Sequence, residues 1–191
     1  MPGQPGSAFP FSTRLPETYQ ATFVVSAGGV DKKWFMARAA ERWRYDRFVG
    51  EELSSSDLFS DRLYLIDHSR KIYCAQPIGF QSSQPAYMSL TPATAFIGKE
   101  HREFEAMGRD GDISKYRVTN KYGQEIIISV HEPSGMIVRQ EFTAGDGNTA
   151  GQPQFIYEVR DLKLEADQNQ FVLPTGYRNG EPTECRAGKG E

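Results

Sequence analysis

Nothing in this sequence is apolar for long enough to cross a bilayer as a helix, which takes about 18 or more consecutive apolar residues. Its opening, MPGQPGSAFPFS, has neither the basic stretch nor the apolar stretch of a secretory signal. The chain is therefore either cytosolic or the mature form of a periplasmic or secreted protein whose signal has been removed. A positive excess is missing too: 22 Lys and Arg stand against 25 Asp and Glu, and the net charge is −3. No global field draws phosphate, which argues against nucleic acid as a partner.

Cysteine is scarce, with only Cys74 and Cys185. Two readings stand. Either these are a small buried residue and an exposed thiol near the end, or they form one disulfide tying the C-terminal segment to a central strand. The second requires an oxidising compartment. Chemical motifs are lacking as well. There is no HExxH, no Cys–His spacing of a zinc site, no GxSxG, no phosphate-cradling glycine loop and no GxGxxG. The turns GRDGD and GDGN lack the terminal glutamate of a calcium loop. His68, His101 and His131 are scattered and read as surface or structural residues. The expectation is a protein with no catalytic site, no metal and no cofactor.

What the sequence does have is aromatic and β-branched material in strand rhythm, with 12 Phe and 9 Tyr. Residues 1–17 carry four prolines and read as an extended arm. From Thr18, TYQATFVVS alternates and ends at the turn signal AGG. KKWFMARA and ERWRYDRF follow as strands, GEELSSSD reads as a loop, and RLYLIDHSRKIYCAQ reads as a hairpin. Residues 76–90 read as a loop and 91–97 as a short helix, with Thr91 as N-cap and Pro92 at the first helical position. KEHREFEAMG extends that helix or forms a strand, and the strand is the expectation. DISKYRVTNKYGQEIIISVHEPSGMIVRQEFT gives three strands with turns at NKYG and EPSG, and PQFIYEVRDLKLEA gives another. The expected architecture is a single mainly β domain over 18–178, built on an antiparallel sheet with one or two short helices. Residues 179–191 read as a polar tail.

ERWRYDRF deserves a face-by-face reading, because interleaved arginines and aromatics suit a single-stranded nucleic-acid platform. Alternation sends Trp43, Tyr45 and Arg47 to one face and Arg42, Arg44, Asp46 and Phe48 to the other. A stacking platform needs its aromatics beside its cations, so the expectation is aromatics toward the interior and arginines toward water. Phe23, Val25, Trp34, Met36, Trp43, Tyr45, Leu63, Leu65, Ile126, Ile128 and Ile137 are candidates for one broad concave face. One or two helices are too few to cover so wide a face, which leaves a cavity or a partner to do it.

The order of these pieces resembles the LolA/LolB-like superfamily of envelope lipoprotein carriers and sorting proteins. The resemblance rests on YQATFVV, RWRYD, LYLIDHSRKIYC, a G…KYRV segment through Gly108 and Tyr116, GMIVRQEF, and the closing FVLPTGYR. The last supplies Phe171, Leu173, Pro174, Gly176 and Tyr177. What the resemblance implies is a strongly curved, half-open β-barrel with helices on its concave side. It also implies a periplasmic role without chemistry, in which the apolar concavity takes a lipid, an acyl chain or a lipidated protein in lipoprotein transport. The alternative is an envelope interaction or sensor module of the same fold, its core closed and its partner another protein.

Overall fold

The computed structural model describes residues 10–11, 15–76, 101–120, 125–143 and 153–186. The expected helix at 91–97, the loop at 76–90 beyond Gln76, which ends a strand, and the NKYG and DGN turns fall outside or at the margin of these residues. The described residues are overwhelmingly strand. β1 (Thr18–Ala27), β2 (Val30–Ala39), β3 (Arg42–Val49), β4 (Glu52–Phe59), β5 (Leu63–Asp67) and β6 (Ile72–Gln76) come first. β7 (His101–Asp110), β8 (Ile113–Asn120), β9 (Glu125–His131), β10 (Met136–Thr143) and β11 (Pro153–Lys163) follow. A 3-10 turn (Gln168–Phe171), the short β12 (Arg178–Asn179) and helix α1 (Pro182–Arg186) complete the described elements. The hydrogen-bonding order is β12-β6-β5-β4-β3-β2-β1-β11-β10-β9-β8-β7, a 12-stranded sheet that does not close into a barrel. β12 runs parallel to β6 and makes the sheet mixed.

The chain divides into two compact units. An inserted unit comprises Met1–Pro16 and Leu90–Glu158, and a meander unit comprises Glu17–Ser89 and Val159–Glu191. In the meander unit each strand pairs with the next through a tight turn. Gly28 and Gly29 join β1 to β2, both at positive φ (57° and 79°). That is the backbone a two-residue hairpin demands and side chains resist. The stretch read as a loop, GEELSSSD, is instead the body of β4. Its polar side chains have partners: Ser56 and Asp57 are buried and hydrogen-bonded.

The pairing register settles which side chains share a face, since directly opposed residues point the same way. Phe23 lies opposite Trp34, Ala21 opposite Met36, and Tyr19 opposite Arg38. Met36 then faces Tyr45 and Arg38 faces Trp43. Trp43 and Tyr45 face Phe59 and Asp57, which face Leu63 and Leu65. This is the aromatic face. The reverse face carries Phe35, Ala37, Ala39, Leu58, Ile66 and Tyr73. It is covered by Ala166, Phe171, Leu173 and Tyr177 from the closing segment. The 3-10 turn therefore packs on the side opposite the aromatic face, whereas the helices were expected on that face. α1 does reach it, because Cys185 packs against Leu65, Ile72 and Cys74.

The supposed polar tail is part of the fold as far as Arg186. β12 hydrogen-bonds along β6, with Gly180 N donating to Tyr73 O at 2.8 Å. Cys74 and Cys185 form a disulfide across 6.1 Å between Cα atoms. Arg178 clasps Glu184 through both terminal guanidinium nitrogens, at 2.7 and 3.2 Å.

In the inserted unit, Val118 and Ile126 pair directly, Ile128, Gln140 and Tyr157 form the neighbouring row, and all five are buried on one face across β8 to β11. A bulge between Ile137 and Arg139 keeps Ile137 on the same side as Gln140 despite their odd spacing. Phe11, from the stretch read as an arm, is buried against Phe104 and Tyr116, with ring centroids at 5.8 and 5.2 Å.

Candidate functional site

Of the apolar candidates, Phe23, Val25, Trp34, Met36, Trp43, Tyr45, Leu63 and Leu65 share the aromatic face of the meander unit. Ile126, Ile128 and Ile137 share one face of the inserted unit. Phe23, Met36, Trp43 and all three isoleucines are buried, while Val25, Trp34, Tyr45, Leu63 and Leu65 are half-buried. Phe23 and Trp34 stack at 5.7 Å and Trp43 and Phe59 at 5.8 Å, so the wide rings already spend their area on each other.

The open space in the meander unit is polar as well as apolar. A cleft of about 640 Å³ lies along β3, β4 and β5 and is bounded by α1. Its walls carry Arg47, Asp57, Ser55, Asp67, Leu65 and Cys185. Arg47 and Asp57 form a two-pronged ion pair, Nη1 to Oδ1 at 3.2 Å and Nη2 to Oδ2 at 2.6 Å. The guanidinium also lies 4.7 Å over the ring of Tyr45. Burial is the main force pushing the Tyr45 phenol up, with Asp57 adding to it and Arg47 opposing. The guanidinium is thus fixed between the Asp57 carboxylate and the Tyr45 ring, a preorganised donor–acceptor fork at the cleft wall.

The other arginines of ERWRYDRF depart from the expectation that they face water. Arg44 is only 9% exposed and donates Nε to Asp46 Oδ1 at 2.7 Å. Arg42 lies 4.8 Å over the Phe171 ring and donates to Gln168 Oε1 at 2.6 Å. The physical reason is the closing segment, which folds over this face and turns it into a second interior. Local alternation carries no trace of a segment that arrives more than a hundred residues later.

His68, read from sequence as a surface or structural residue, has partners that the sequence did not reveal. Ser56 Oγ donates to Asp46 Oδ1 and lies 2.7 Å from His68 Nε2, while His68 Nδ1 lies 2.9 Å from Tyr177 OH. The residue types are those of a hydrolytic triad but the order is different. Ser56 stands between carboxylate and imidazole, gives its proton to the carboxylate, and is 1% exposed. Such a serine is a structural link. His131 caps the turn after β9 through Ser134 Oγ at 2.8 Å, and the side chain of His101 lies outside the described residues. Among the described residues no group of three or more His, Cys, Asp or Glu could hold a metal ion, and no helix is long and apolar enough to cross a membrane.

No protein-family model matches the chain, and no curated protein sequence does. Solved structures do. A crystal structure of MucB is similar with a TM-score of 0.53 at 13% identity, over 86% of this chain and 60% of that one. A chain of the Pseudomonas aeruginosa MucA/MucB complex gives 0.52 at 12% identity, over 82% and 56%. MucB in complex with MucA(peri) gives 0.50 at 12%, over 83% and 54%. The likeness is one of fold. This chain spans little more than half the length of those it matches. At this level the similarity supports a LolA/LolB-like architecture, the one the strand order resembles.

Proposed function

We propose that this is a non-enzymatic protein of an oxidising, extracytoplasmic compartment that binds a partner polypeptide in the cleft along β3 to β5. The cleft lining carries the reading. An acyl chain needs apolar area alone, whereas these walls combine the Arg47–Asp57 fork, Ser55 and Asp67 with Leu65. Polar groups alternating with apolar ones suit a peptide, which brings both a hydrogen-bonding backbone and side chains. The Cys74–Cys185 disulfide, a bond that the cytosol keeps reduced in most organisms, supports such a compartment. That MucB is seen in complex with MucA supports a protein partner for a chain of similar fold.

A second reading is that a lipid, or the acyl chain of a lipoprotein, occupies the aromatic face. The half-buried Val25, Trp34, Leu63 and Leu65, all on one side, favour it. A photo-crosslinking residue placed at Ser55 in the exported protein separates the two. A polypeptide adduct that disappears with Arg47→Glu, in a variant of unchanged circular dichroism, supports the partner. A lipid mass retained in native mass spectrometry of detergent-free protein, with no polypeptide adduct, moves the assignment to the second reading.

A further inference from the structure

α1 bounds the cleft with Cys185, beside a wall that carries Leu65, Asp67 and Ser69. Its sequence gives it a start. Pro182 stands at the first helical position, and the Glu184 carboxylate accepts from Glu181 N at 2.8 Å. Five residues are nevertheless too few for a helix to hold itself in water. Its place has to come from outside.

Two ties supply it. The disulfide joins Cys185 to Cys74 on β6. A tether at one residue fixes a distance but leaves the helix free to swivel about it. The second tie is Arg70, in the turn between β5 and β6. Its Nη2 donates to Glu184 O at 2.5 Å, one residue before the tether. Its Nε donates to Asp67 Oδ2 at 2.8 Å, and its amide donates to Asp67 Oδ1 at 3.0 Å. Ser69 Oγ donates to the same Oδ1 at 2.7 Å. A planar guanidinium that serves two acceptors through different nitrogens cannot turn without giving one up. Helix and cleft-wall carboxylate are thereby held in one fixed relation. Partial burial pushes Asp67 up, but the Ser69 hydroxyl and the Arg70 amide and guanidinium outweigh it and hold it down to about 2. The anion that Arg70 grips is therefore present at neutral pH.

We propose that Arg70 is the positioning residue of the cleft: by joining Asp67 to α1, it sets where the Cys185 wall stands for an incoming polypeptide. The proposal rests on the reading of that cleft as a polypeptide site. Arg70 itself does not line the cleft, and it acts through the two groups it holds. Its side chain is 42% exposed, so the tie adds little to global stability. Its effect is on orientation, and is read in binding rather than in unfolding.

A photo-crosslinking residue at Ser55 in the exported protein reports binding. Hydrogen exchange of peptides covering 181–186 reports the order of α1. In Arg70→Gln the polypeptide adduct falls about fivefold and 181–186 exchange faster by a similar factor, the population change that matches about 1 kcal/mol for one hydrogen bond. The urea midpoint stays that of the native chain, because the disulfide is intact. Arg70→Lys keeps the charge but offers one nitrogen in place of two, and its adduct stays low. An undiminished adduct in Arg70→Gln, or full recovery in Arg70→Lys, overturns the positioning role and leaves the polypeptide site standing. No polypeptide adduct in the native chain overturns the site itself, and the role of Arg70 with it. Nitrogen NMR of the unaltered protein guards against a variant that fails to fold. The Arg70 Nε–H exchanges slowly with water at neutral pH; exchange as fast as that of an unpaired arginine overturns the proposal.

Discussion

At the scale of single residues, burial and hydrogen bonding part company in an instructive way. Gln140 is 0% exposed, sits between Ile128 and Tyr157 in the pairing, and has no hydrogen-bond partner for Oε1 or Nε2. Burying an amide without compensation costs roughly 1–3 kcal/mol by mutational measure. Gln140→Met keeps the length and removes the polar atoms. We expect it to raise stability by about 1 kcal/mol or more in urea titration; a loss of similar size would mean the carboxamide has a partner in solution. Arg44 and Asp46 show the reverse case, a buried pair whose charges answer each other. Alternation in the sequence predicts the faces of Trp43 and Tyr45 correctly. It cannot predict that Arg44 is buried, because what buries it is remote in the chain.

At the scale of elements, period-two alternation made most strands legible: β1, β2, β3, β5, β6 and β8 to β11 lie where apolar residues alternate. β4 was illegible because Ser and Asp normally mark turns. In this fold they are interior groups with named partners, Asp46 and His68 for Ser56 and Arg47 for Asp57. The closing segment was legible as a motif, through Phe171, Leu173 and Tyr177, yet not as a lid on the reverse face. Phe171 is 6% exposed and packs among Ala37, Ala39, Leu58 and Ile66. Phe171→Ala is expected to cost about 3–5 kcal/mol, with a matching fall in the midpoint of thermal unfolding. Its loss also removes the ring on which Arg42 rests. A cost below about 1 kcal/mol would mean that the segment is dispensable to the sheet.

For the molecule as a whole, the decisive covalent fact is a bond between positions 111 residues apart. Closing so long a loop removes about 4–5 kcal/mol of unfolded-chain entropy. Reduction, or Cys74→Ser with Cys185→Ser, is expected to lower stability by that order, measured as the shift between oxidised and reduced unfolding curves. An unchanged curve would mean that α1 holds to β6 through Ile72 and Leu65 packing alone. The candidate site shows the limits of sequence reading at this scale. The apolar positions chosen from alternation do share faces, but most of their widest rings are already stacked on each other. The cleft joins one of those positions, Leu65, to Ser55, Asp57 and Asp67, which looked like loop serine and surface charge.

The meander unit is written in two instalments, with the whole of residues 90–158 between them. A chain made or exported from its N-terminus presents β1 to β6 first, and their reverse face stays wet until the stretch from Val159 onward arrives. At about 5–20 residues per second, the 111 residues separating the cysteines amount to an interval of the order of ten seconds. For that time Cys74 is a nascent thiol without its mate, open to whatever oxidant or holding factor meets emerging chains. Completion of the meander unit therefore waits on the stretch from Val159 onward.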